Sequence, residues 1–460
     1  MIPVTSRSSQ HVGVFGLGAS GCATAQALIA GGAFVTAWDD SEAARRKAAK
    51  EKIPLEHPDN ASWQKIDALV LSPGVPLKYP KPHPVVRAAR SAGRPIIGDI
   101  ELIQENTFEA KFIGITGTNG KSTTAALIHH VLQQANLSVQ LGGNFGPPAL
   151  HLKPAFQNDT IILELSSYQL DLTQEAIFDI AVLLNITPDH LDRHGSMKAY
   201  FAAKKQIFRN AAKKKQLAII GVDDPYGQQV CAELNTANNW TVIPVSTERR
   251  PKNGVYVKES VLHDKENNRI DLSGIHALQG PHNWQNAAAA WAVLQEYRIP
   301  TEKIEMFFNT FPGLPHRLEI IGEYDGILYI NDSKATNGHS CSRALSTHTD
   351  IYWIAGGVSK QDGLRQTLPY LNRVRHAFLI GDAADEFSAA LTQRGVPSTK
   401  SGVLKLALEQ AREAAARADS GRPIILFSPA CASFDQYLNF EKRGNHFREL
   451  VKTIISGANE

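Results

Sequence analysis

The sequence predicts an α/β protein made of three consecutive units, each with a largely parallel sheet. First, several apolar runs of strand length are continuous rather than alternating before they end in polar residues, as in "TIILELSSYQL" and "DIAVLLNITPDHLDRHG", which is typical of parallel strands covered on both faces. Second, two such runs lead into a glycine-rich turn and then a helical segment. Third, the chain has 460 residues, 43% of them hydrophobic and 20% charged, which suffices for several globular units.

The first unit, residues 1–100, begins with a strand, a tight turn, a helix and a second strand. Gly16-x-Gly18-x-x-Gly21 follows the first strand, and Asp39 ends the second, where a ribose-binding acid stands in dinucleotide-binding folds. A third buried strand leads into the turn at 72–74. Three interpretations stay open: an NAD site, a site for another diphosphate-bearing nucleotide, or a glycine turn that only packs a helix on a strand.

The second unit, residues 101–313, contains the segment "KFIGITGTNGKSTTAAL", a buried strand, a glycine-rich turn and a helix. It differs from the strict phosphate-loop pattern, which requires glycine where Ile115 stands. Backbone N–H groups at a helix N-terminus nevertheless form an anion cradle. Lys121 adds a charge near the terminal phosphates and Ser122 a hydroxyl for magnesium. The segment therefore predicts an ATP site.

Polar residues follow the next two buried strands of this unit. Because ligands bind beyond the carboxyl ends of parallel strands, Glu164 and residues 187–190 are expected to face the same crevice as the loop. Glu164 is interpreted as a magnesium ligand or a solvated strand-end carboxylate. His190 is a metal or substrate ligand or a structural histidine, with Asp189, Asp192 and His194 as neighbouring alternatives.

The third unit, residues 314–460, alternates strands with helices. The helix near residues 401–418 has a core stripe at spacings of three and four, formed by Leu404, Leu408, Ala411 and Ala415. Arg317, Asp332 and Lys334 lie near the start of the unit. Cationic groups of this kind stabilise the charge on a phosphoryl group in transfer, so they are candidates for the same reaction.

Composition excludes several classes of protein. The formal net charge is only +3 without a basic stripe, which disfavours nucleic acid as a partner. The four cysteines form no C-x-x-C pair, which argues against a zinc knuckle or a disulfide framework and fits a reducing cytoplasm. Residues 8–38 carry no Asp, Glu, Lys or Arg, but their glycines interrupt any apolar span, so membrane insertion is not expected.

The order of motifs along the chain resembles the Mur ligase family, the ATP-dependent amino-acid ligases of peptidoglycan assembly. The resemblance extends over nearly the whole chain, through "GLGASG", "LSPGVP", "GDIEL", "GITGTNGKST", "GGNFG", "LELSSYQL", "NITPDHLDRH", "YFAAK", "GPHNWQN", "GLPHR", "NDSKATN" and "SPACASFDQYLNFEKRG". It implies an N-terminal Rossmann-like domain, a central P-loop ATPase-like domain with a parallel sheet, and a C-terminal Rossmann-like α/β domain. It also implies a cytoplasmic monomer.

The resemblance implies roles for residues at matching positions. ATP contacts would come from Gly117, Thr118, Asn119, Gly120, Lys121, Ser122, Thr123, Asn286, Arg317 and Asp332. Two magnesium ions would be held by Ser122, Glu164, His190 and Lys204, and Lys204 would carry a carbamate. The catalytic set implied is Lys121, Glu164, His190, Lys204 and Arg317. From the residues alone, Lys204 is no more than an exposed helix lysine.

The implied substrates are UDP-N-acetylmuramoyl-L-alanine and D-glutamate. The first would contact Gly18, Ala19, Ser20, Asp39, Ser72, Gly74, Asn144 and His190, and the second Lys334, Thr336, Lys360, Ser433, Phe434 and Phe440. The implied reaction proceeds through an acyl phosphate. The alternatives are a related ligase that takes L-glutamate, an NAD-dependent oxidoreductase, a folylpolyglutamate synthase, which lacks the N-terminal unit, and a non-catalytic nucleotide-binding protein.

Overall fold

The computed structural model describes residues 1–59, 62–107, 109–210, 215–237, 239–360, 363–418 and 421–456. The chain forms two compact units, an N-terminal unit (Met1–Phe311) and a C-terminal unit (Pro312–Glu460). The N-terminal unit contains a four-stranded and a nine-stranded sheet, and the C-terminal unit contains a six-stranded sheet. The predicted α/β class is thus confirmed. The domain boundaries after residues 100 and 313 stay predictions.

The first sheet is entirely parallel, with strand order β2-β1-β3-β4. Its strands are β1 (His11–Phe15), β2 (Phe34–Trp38), β3 (Ala68–Leu71) and β4 (Ile96–Ile97), and its helices are α1 (Ala19–Ala30), α2 (Glu42–Lys50), α3 (Pro84–Ser91) and α4 (Asp99–Asn106). The predicted strand, turn, helix and strand are present. A Cβ on Gly21 would lie 1.7 Å from the carbonyl oxygen of Gly16, so glycine permits the close contact of α1 with the turn.

The second sheet has the order β13-β12-β11-β10-β9-β8-β5-β7-β6. Its strands are β5 (Lys111–Thr116), β6 (Val139–Gly143), β7 (Thr160–Glu164), β8 (Ile180–Leu183), β9 (Gln216–Gly221), β10 (Trp240–Ser246), β11 (Val255–Lys258), β12 (Val261–His263) and β13 (Arg269–Asp271). Pairing is parallel from β6 to β11 and antiparallel from β11 to β13. Because β5 lies between β7 and β8, the carboxyl ends of these three strands meet at one edge.

The helices of this region are α5 (Lys121–Gln134), α6 (Ser167–Asp171), α7 (Leu191–His194), α8 (Met197–Lys205), α9 (Pro225–Asn235), α10 (Pro281–Leu294) and α11 (Thr301–Asn309). Helix α10 is buried along its whole C-terminal part, residues 286–294, and contributes to the same apolar core as α5. That core fixes α5, and with it the loop that precedes α5.

The sheet of the C-terminal unit has the order β14-β15-β19-β16-β17-β18 and is parallel except for β14. Its elements are β14 (Glu319–Tyr324), β15 (Ile327–Asn331), α12 (Gly338–Thr347), β16 (Ile351–Gly356), β17 (Val374–Ile380), α13 (Ala384–Thr392), β18 (Ser398–Gly402), α14 (Leu404–Ala416), β19 (Ile424–Phe427) and α15 (Phe440–Ser456). The predicted stripe on α14 is confirmed, since all four of its residues are buried.

Within the described ranges, the helices are all too short or too polar to cross a lipid bilayer.

One buried carboxyl group lies in an unfavourable environment. Asp99 is the first residue of α4, only 3% exposed, and neither of its carboxyl oxygens has a hydrogen-bond partner among the described residues. Burial raises the pKa of Asp99 to about 6, although the nearby backbone N–H groups of Asp99 and Ile100 act in the opposite direction. The neutral form is therefore favoured in the folded protein, and ionisation at higher pH destabilises it.

We expect Asp99→Asn to stabilise the protein in a pH-dependent way. Since the folded-state pKa is raised, the stabilising effect of the neutral carboxyl is present below about pH 4 and is lost as pH rises through about 6. The asparagine amide does not ionise, so the variant keeps its stability as the pH rises through this range. Relative to wild type, its free energy of unfolding should increase by up to about 3 kcal/mol between about pH 4 and pH 8. Urea denaturation of both proteins across this range measures the difference, and a pH-independent difference would contradict the argument.

Candidate functional site

The glycine-rich loop connects β5 to α5 in a conformation that requires glycine. Gly120 is the N-cap of α5 and has a φ of 87°. A Cβ there would lie 2.0 Å from Oδ1 of Asn286, so the loop and α10 are in close contact at this point. Gly117 also has a positive φ, 152°. Gly117, Thr118, Asn119, Gly120, Lys121, Ser122 and Thr123 thus form a turn that leads directly into a helix N-terminus, as an anion cradle requires.

Asn185, which the sequence did not single out, anchors the loop. Its backbone carbonyl accepts the N–H of Thr118 at 2.8 Å, and its side-chain oxygen accepts the N–H of Asn119 at 2.9 Å. The Asn185 amide also donates to Gln285 of α10 at 2.9 Å. Asn185 comes shortly after β8, so the rule that pointed to Glu164 and His190 could have found it.

Two lysines donate to the same carbonyl of the loop. Nζ of Lys121 lies 2.9 Å from the carbonyl oxygen of Gly117, and Nζ of Lys204 lies 2.8 Å from it. Lys121 also donates to the Thr118 carbonyl at 3.0 Å, and Lys204 lies 3.3 Å from Oγ1 of Thr116. The sheet edge thus holds two amines within hydrogen-bond reach of one oxygen.

Lys204 is buried, so its interpretation as an exposed helix lysine is wrong. Its residue exposure is 2%, and its ammonium nitrogen lies 4.9 Å from the centre of the Tyr200 ring. Burial lowers the pKa of Lys204 well below its ordinary value, and the charge of Lys121 lowers it further, against the opposing effects of Asp189 and Glu164. The uncharged amine is thereby favoured, which is the form that reacts as a nucleophile.

Glu164 ends β7 with one carboxylate oxygen bonded and one without a partner. Asn144 donates to Oε1 at 2.8 Å, while Oε2 is buried and has no hydrogen-bond partner among the described residues. The hydroxyl-bearing Ser122 is also buried, at the start of α5. An orphaned carboxylate oxygen at the edge that carries the phosphate loop fits a hard cation such as Mg²⁺. In the described part of the chain, no three His, Cys, Asp or Glu side chains are clustered into a complete metal site.

His190 lies at the same edge, in a left-handed backbone conformation with φ 53°. Its Nδ1 is 2.9 Å from the hydroxyl of Tyr168, and its Nε2 is 3.5 Å from a carboxylate oxygen of Asp189. The neighbouring His194 is held differently, by the hydroxyl of Ser167 at 2.9 Å, and burial lowers its pKa. Of the two histidines, His190 is the one whose second nitrogen lies beside a carboxylate.

The N-terminal glycine turn, which follows β1, is hydrogen-bonded to Asp39, the acid that follows β2. Asp39 accepts the backbone N–H of Leu17 at 2.5 Å and that of Ser41 at 2.7 Å. Ser72 donates to the carbonyl of Gly16 at 2.8 Å. Gly18 has open space where a side chain would begin, and Gly74 does too. The predicted contact residues Ala19 and Ser20 form the first turn of α1, so this set of residues surrounds a helix N-terminus.

In the C-terminal unit, the candidate residue Asp332 is a buried carboxyl group. Asp332 follows β15, accepts from Ser428 at 2.7 Å and from the N–H of Leu318 at 3.2 Å, and is 8% exposed. Burial raises the pKa of Asp332 to about 7, although these hydrogen bonds and the charge of Arg317 act in the opposite direction.

The candidate ligands for an amino acid divide into buried and exposed residues. Nζ of Lys334 lies 5.3 Å from the centre of the Phe440 ring, and the N–H of Thr336 donates to the Lys334 carbonyl at 2.9 Å. Ser433 is buried, whereas the adjacent Phe434 is 74% exposed. Lys360 is exposed, and its carbonyl accepts the N–H of Gly363.

Comparison with known proteins adds the following matches. Residues 115–294 match the Mur ligase middle domain, and residues 316–431 match the family described as Mur ligase, glutamate ligase domain. UDP-N-acetylmuramoylalanine–D-glutamate ligase of Phenylobacterium zucineum is 44% identical over 99% of both chains. The enzyme of the same name from Rhodospirillum rubrum is 45% identical over 99% of this chain and 97% of its own.

Among solved structures, UDP-N-acetylmuramate-alanine ligase from Thermotoga maritima superimposes with a TM-score of 0.60 at 18% identity. The match covers 96% of this chain and 99% of that one. At this identity the likeness concerns the fold.

We expect Gly120→Ala to weaken nucleotide binding. The substitution places a methyl group against Asn286 and forces a side chain into a left-handed conformation, which costs roughly 1–3 kcal/mol. If the loop binds the phosphates, affinity for a fluorescent ATP analogue should fall by roughly 10-fold. Gly274→Ala is the control, because Gly274 has open space for a Cβ and no positive φ. Equal affinities in the two variants would count against the loop as the phosphate site.

Proposed function

The chain belongs to the Mur ligase family, and on this premise we propose that it ligates D-glutamate to UDP-N-acetylmuramoyl-L-alanine at the expense of ATP. The proposal rests on one observation above all. Lys121, Glu164 and Lys204 converge at the carboxyl edge of β5 and β7, in a chain that is 44–45% identical over nearly its whole length to D-glutamate ligases. An NAD-dependent oxidoreductase would leave this edge without a role.

The reaction requires activation of a carboxylate, which does not condense with an amine in water. An oxygen of the L-alanine carboxylate attacks the γ-phosphorus of ATP, the bond to ADP breaks, and an acyl phosphate forms. The amine of D-glutamate then attacks the acyl carbon. The tetrahedral intermediate expels phosphate, and the amine nitrogen loses its proton.

The residues of the sheet edge have distinct roles in this scheme. The N–H groups of residues 117–123 and the ammonium of Lys121 hold the phosphates, with Asn286 beside Gly120. Ser122, Glu164 and His190 would hold magnesium, which neutralises charge on the transferring phosphoryl group when it is bound. Arg317 and Asp332 of the C-terminal unit are proposed as further nucleotide contacts.

Lys204 is proposed to carry a carbamate. An unprotonated amine is needed to attack carbon dioxide, forming an N–C bond and releasing one proton, and burial favours this unprotonated form. The product is an anion. Next to Lys121 and the cation site, an anion is more favourable than a second ammonium, and it can orient magnesium.

The remaining assignments concern the two substrates. Gly18, Ala19, Ser20, Asp39, Ser72, Gly74 and Asn144 are proposed to bind the UDP-linked substrate. Lys334, Thr336, Lys360, Ser433, Phe434 and Phe440 are proposed to bind D-glutamate. A monomeric, cytoplasmic enzyme is the corresponding proposal for assembly and location.

Phosphate release tests the reaction and its stereochemistry. With ATP, Mg²⁺, UDP-N-acetylmuramoyl-L-alanine and D-glutamate, we expect release that depends on every component, because phosphate leaves only when the amine attacks. L-Glutamate in place of D-glutamate should give little release. Equal rates with both enantiomers would favour the alternative of altered amino-acid choice, and release independent of the amino acid would argue against ligation.

Chemical rescue tests the carbamate. Lys204→Ala should lose most activity, and a short carboxylate such as acetate should restore part of it by replacing the missing anion. Lys205→Ala is a matched control, since Lys205 is the next residue on α8 and pairs with Glu233 instead. Full activity of the Lys204 variant without added carboxylate would refute the carbamate role.

A further inference from the structure

The imidazole of His190 has a polar group beside each of its nitrogens. The Tyr168 hydroxyl lies 2.9 Å from Nδ1, and the two ring centres are 5.0 Å apart. On the other side, Nε2 lies 3.5 Å from Oδ2 of Asp189. The ring is thus placed between a hydroxyl and a carboxylate, although its side chain is 48% exposed. Such placement is typical of a histidine whose orientation matters.

Tyr168 is itself fixed by the strand that ends in Glu164. Helix α6 begins immediately after β7 with a reciprocal capping box, in which Ser166 and Gln169 bond each other's backbone N–H groups. The Arg193 guanidinium lies 5.3 Å from the centre of the Tyr168 ring. The backbone that carries Tyr168 is therefore fixed directly after β7, the strand that also carries the proposed magnesium ligand Glu164.

We propose that Tyr168 is a positioning residue for His190: its hydroxyl oxygen accepts the Nδ1–H proton, which leaves the Nε2 lone pair beside Asp189 free to bind a divalent cation. The inference rests on the proposed function. A neutral imidazole has one N–H, so the bond made by one nitrogen decides what the other can do. Mg²⁺ and Mn²⁺ prefer oxygen ligands, so binding through His190 requires an unprotonated and correctly oriented Nε2.

The opposite hydrogen-bond direction has a different chemical consequence. If the phenol donated to Nδ1, the proton would reside on Nε2. His190 could then donate to an oxyanion or to Asp189, but it could not bind a cation. The tautomer of His190 therefore distinguishes the two roles.

Metal binding without turnover provides the test. Mn²⁺ is titrated into the full-length protein with ADP and the UDP-linked substrate, and free Mn²⁺ is followed by electron paramagnetic resonance. The site of interest is the one that His190→Gln weakens. We expect Tyr168→Phe to weaken the same site by about 10-fold, the lower end of the effect of removing an outer-shell partner.

Tyr297→Phe is the matched control. It removes the hydroxyl of a half-buried tyrosine that bonds Thr160 at 3.0 Å, at the first residue of the same strand β7. The control should bind Mn²⁺ like wild type. Unchanged affinity in Tyr168→Phe, or equal weakening in both tyrosine variants, would overturn the positioning role. If wild type performs no ligation at all, the proposed function itself fails.

Nitrogen NMR of histidine-labelled protein gives a second readout that activity does not influence. The His190 signal is identified by its loss in His190→Gln. With metal bound, wild type should show the proton on Nδ1, and Tyr168→Phe should lose this preference. A proton on Nε2 in metal-loaded wild type would overturn the proposal.

Discussion

The interaction on which the site depends is the shared use of the Gly117 carbonyl by two lysines. Lys121 and Lys204 both lie within 3 Å of this oxygen, and Lys204 is buried. Two ammonium groups so close repel each other, and burial adds a desolvation cost to the inner one. The protein avoids this cost when Lys204 is uncharged. Burial, together with the charge of Lys121, thus lowers the pKa of Lys204 and favours its uncharged amine.

Backbone geometry places this conflict at the sheet edge. The adjacent strands β5, β7 and β8 end at Thr116, Glu164 and Leu183. Because β5 lies between the other two strands, the loop leaves the sheet between their ends. Only a residue without a side chain fits at position 120, because Asn286 occupies the space. Asn185 accepts the N–H groups of Thr118 and Asn119 in the loop, and its amide donates to Gln285 of α10. The loop is consequently held by the core rather than by its ligand, which suits a preorganised phosphate site.

Much of this arrangement was predictable from sequence, because it depends on local patterns. Buried parallel strands and the turn before α5 have periodicity and glycine signals that act within a few residues. The antiparallel strands β11 to β13 were missed, since they are short and their pairing depends on contacts beyond any local window. The burial of Lys204 was missed for a similar reason. Its sequence neighbourhood is that of a surface helix, and only the packing of α8 against the loop makes it internal.

Three buried carboxyl groups differ in how far hydrogen bonds satisfy their oxygens. Asp332 has both oxygens bonded, by Ser428 and by the N–H of Leu318, so it is satisfied within its own unit. Asp99 has neither oxygen bonded, and burial raises its pKa to about 6, so the fold disfavours its ionised form more than water does.

Glu164 is the intermediate case. Asn144 donates to one of its oxygens, and the other has no hydrogen-bond partner among the residues that the structure describes. A half-satisfied carboxylate is unfavourable unless something else completes it, because an unpaired buried acceptor costs roughly 1–3 kcal/mol. At the end of β7, beside a phosphate loop and a buried amine, the partner that would relieve this cost is a cation. The orphaned Oε2 of Glu164 therefore supports the proposed magnesium site.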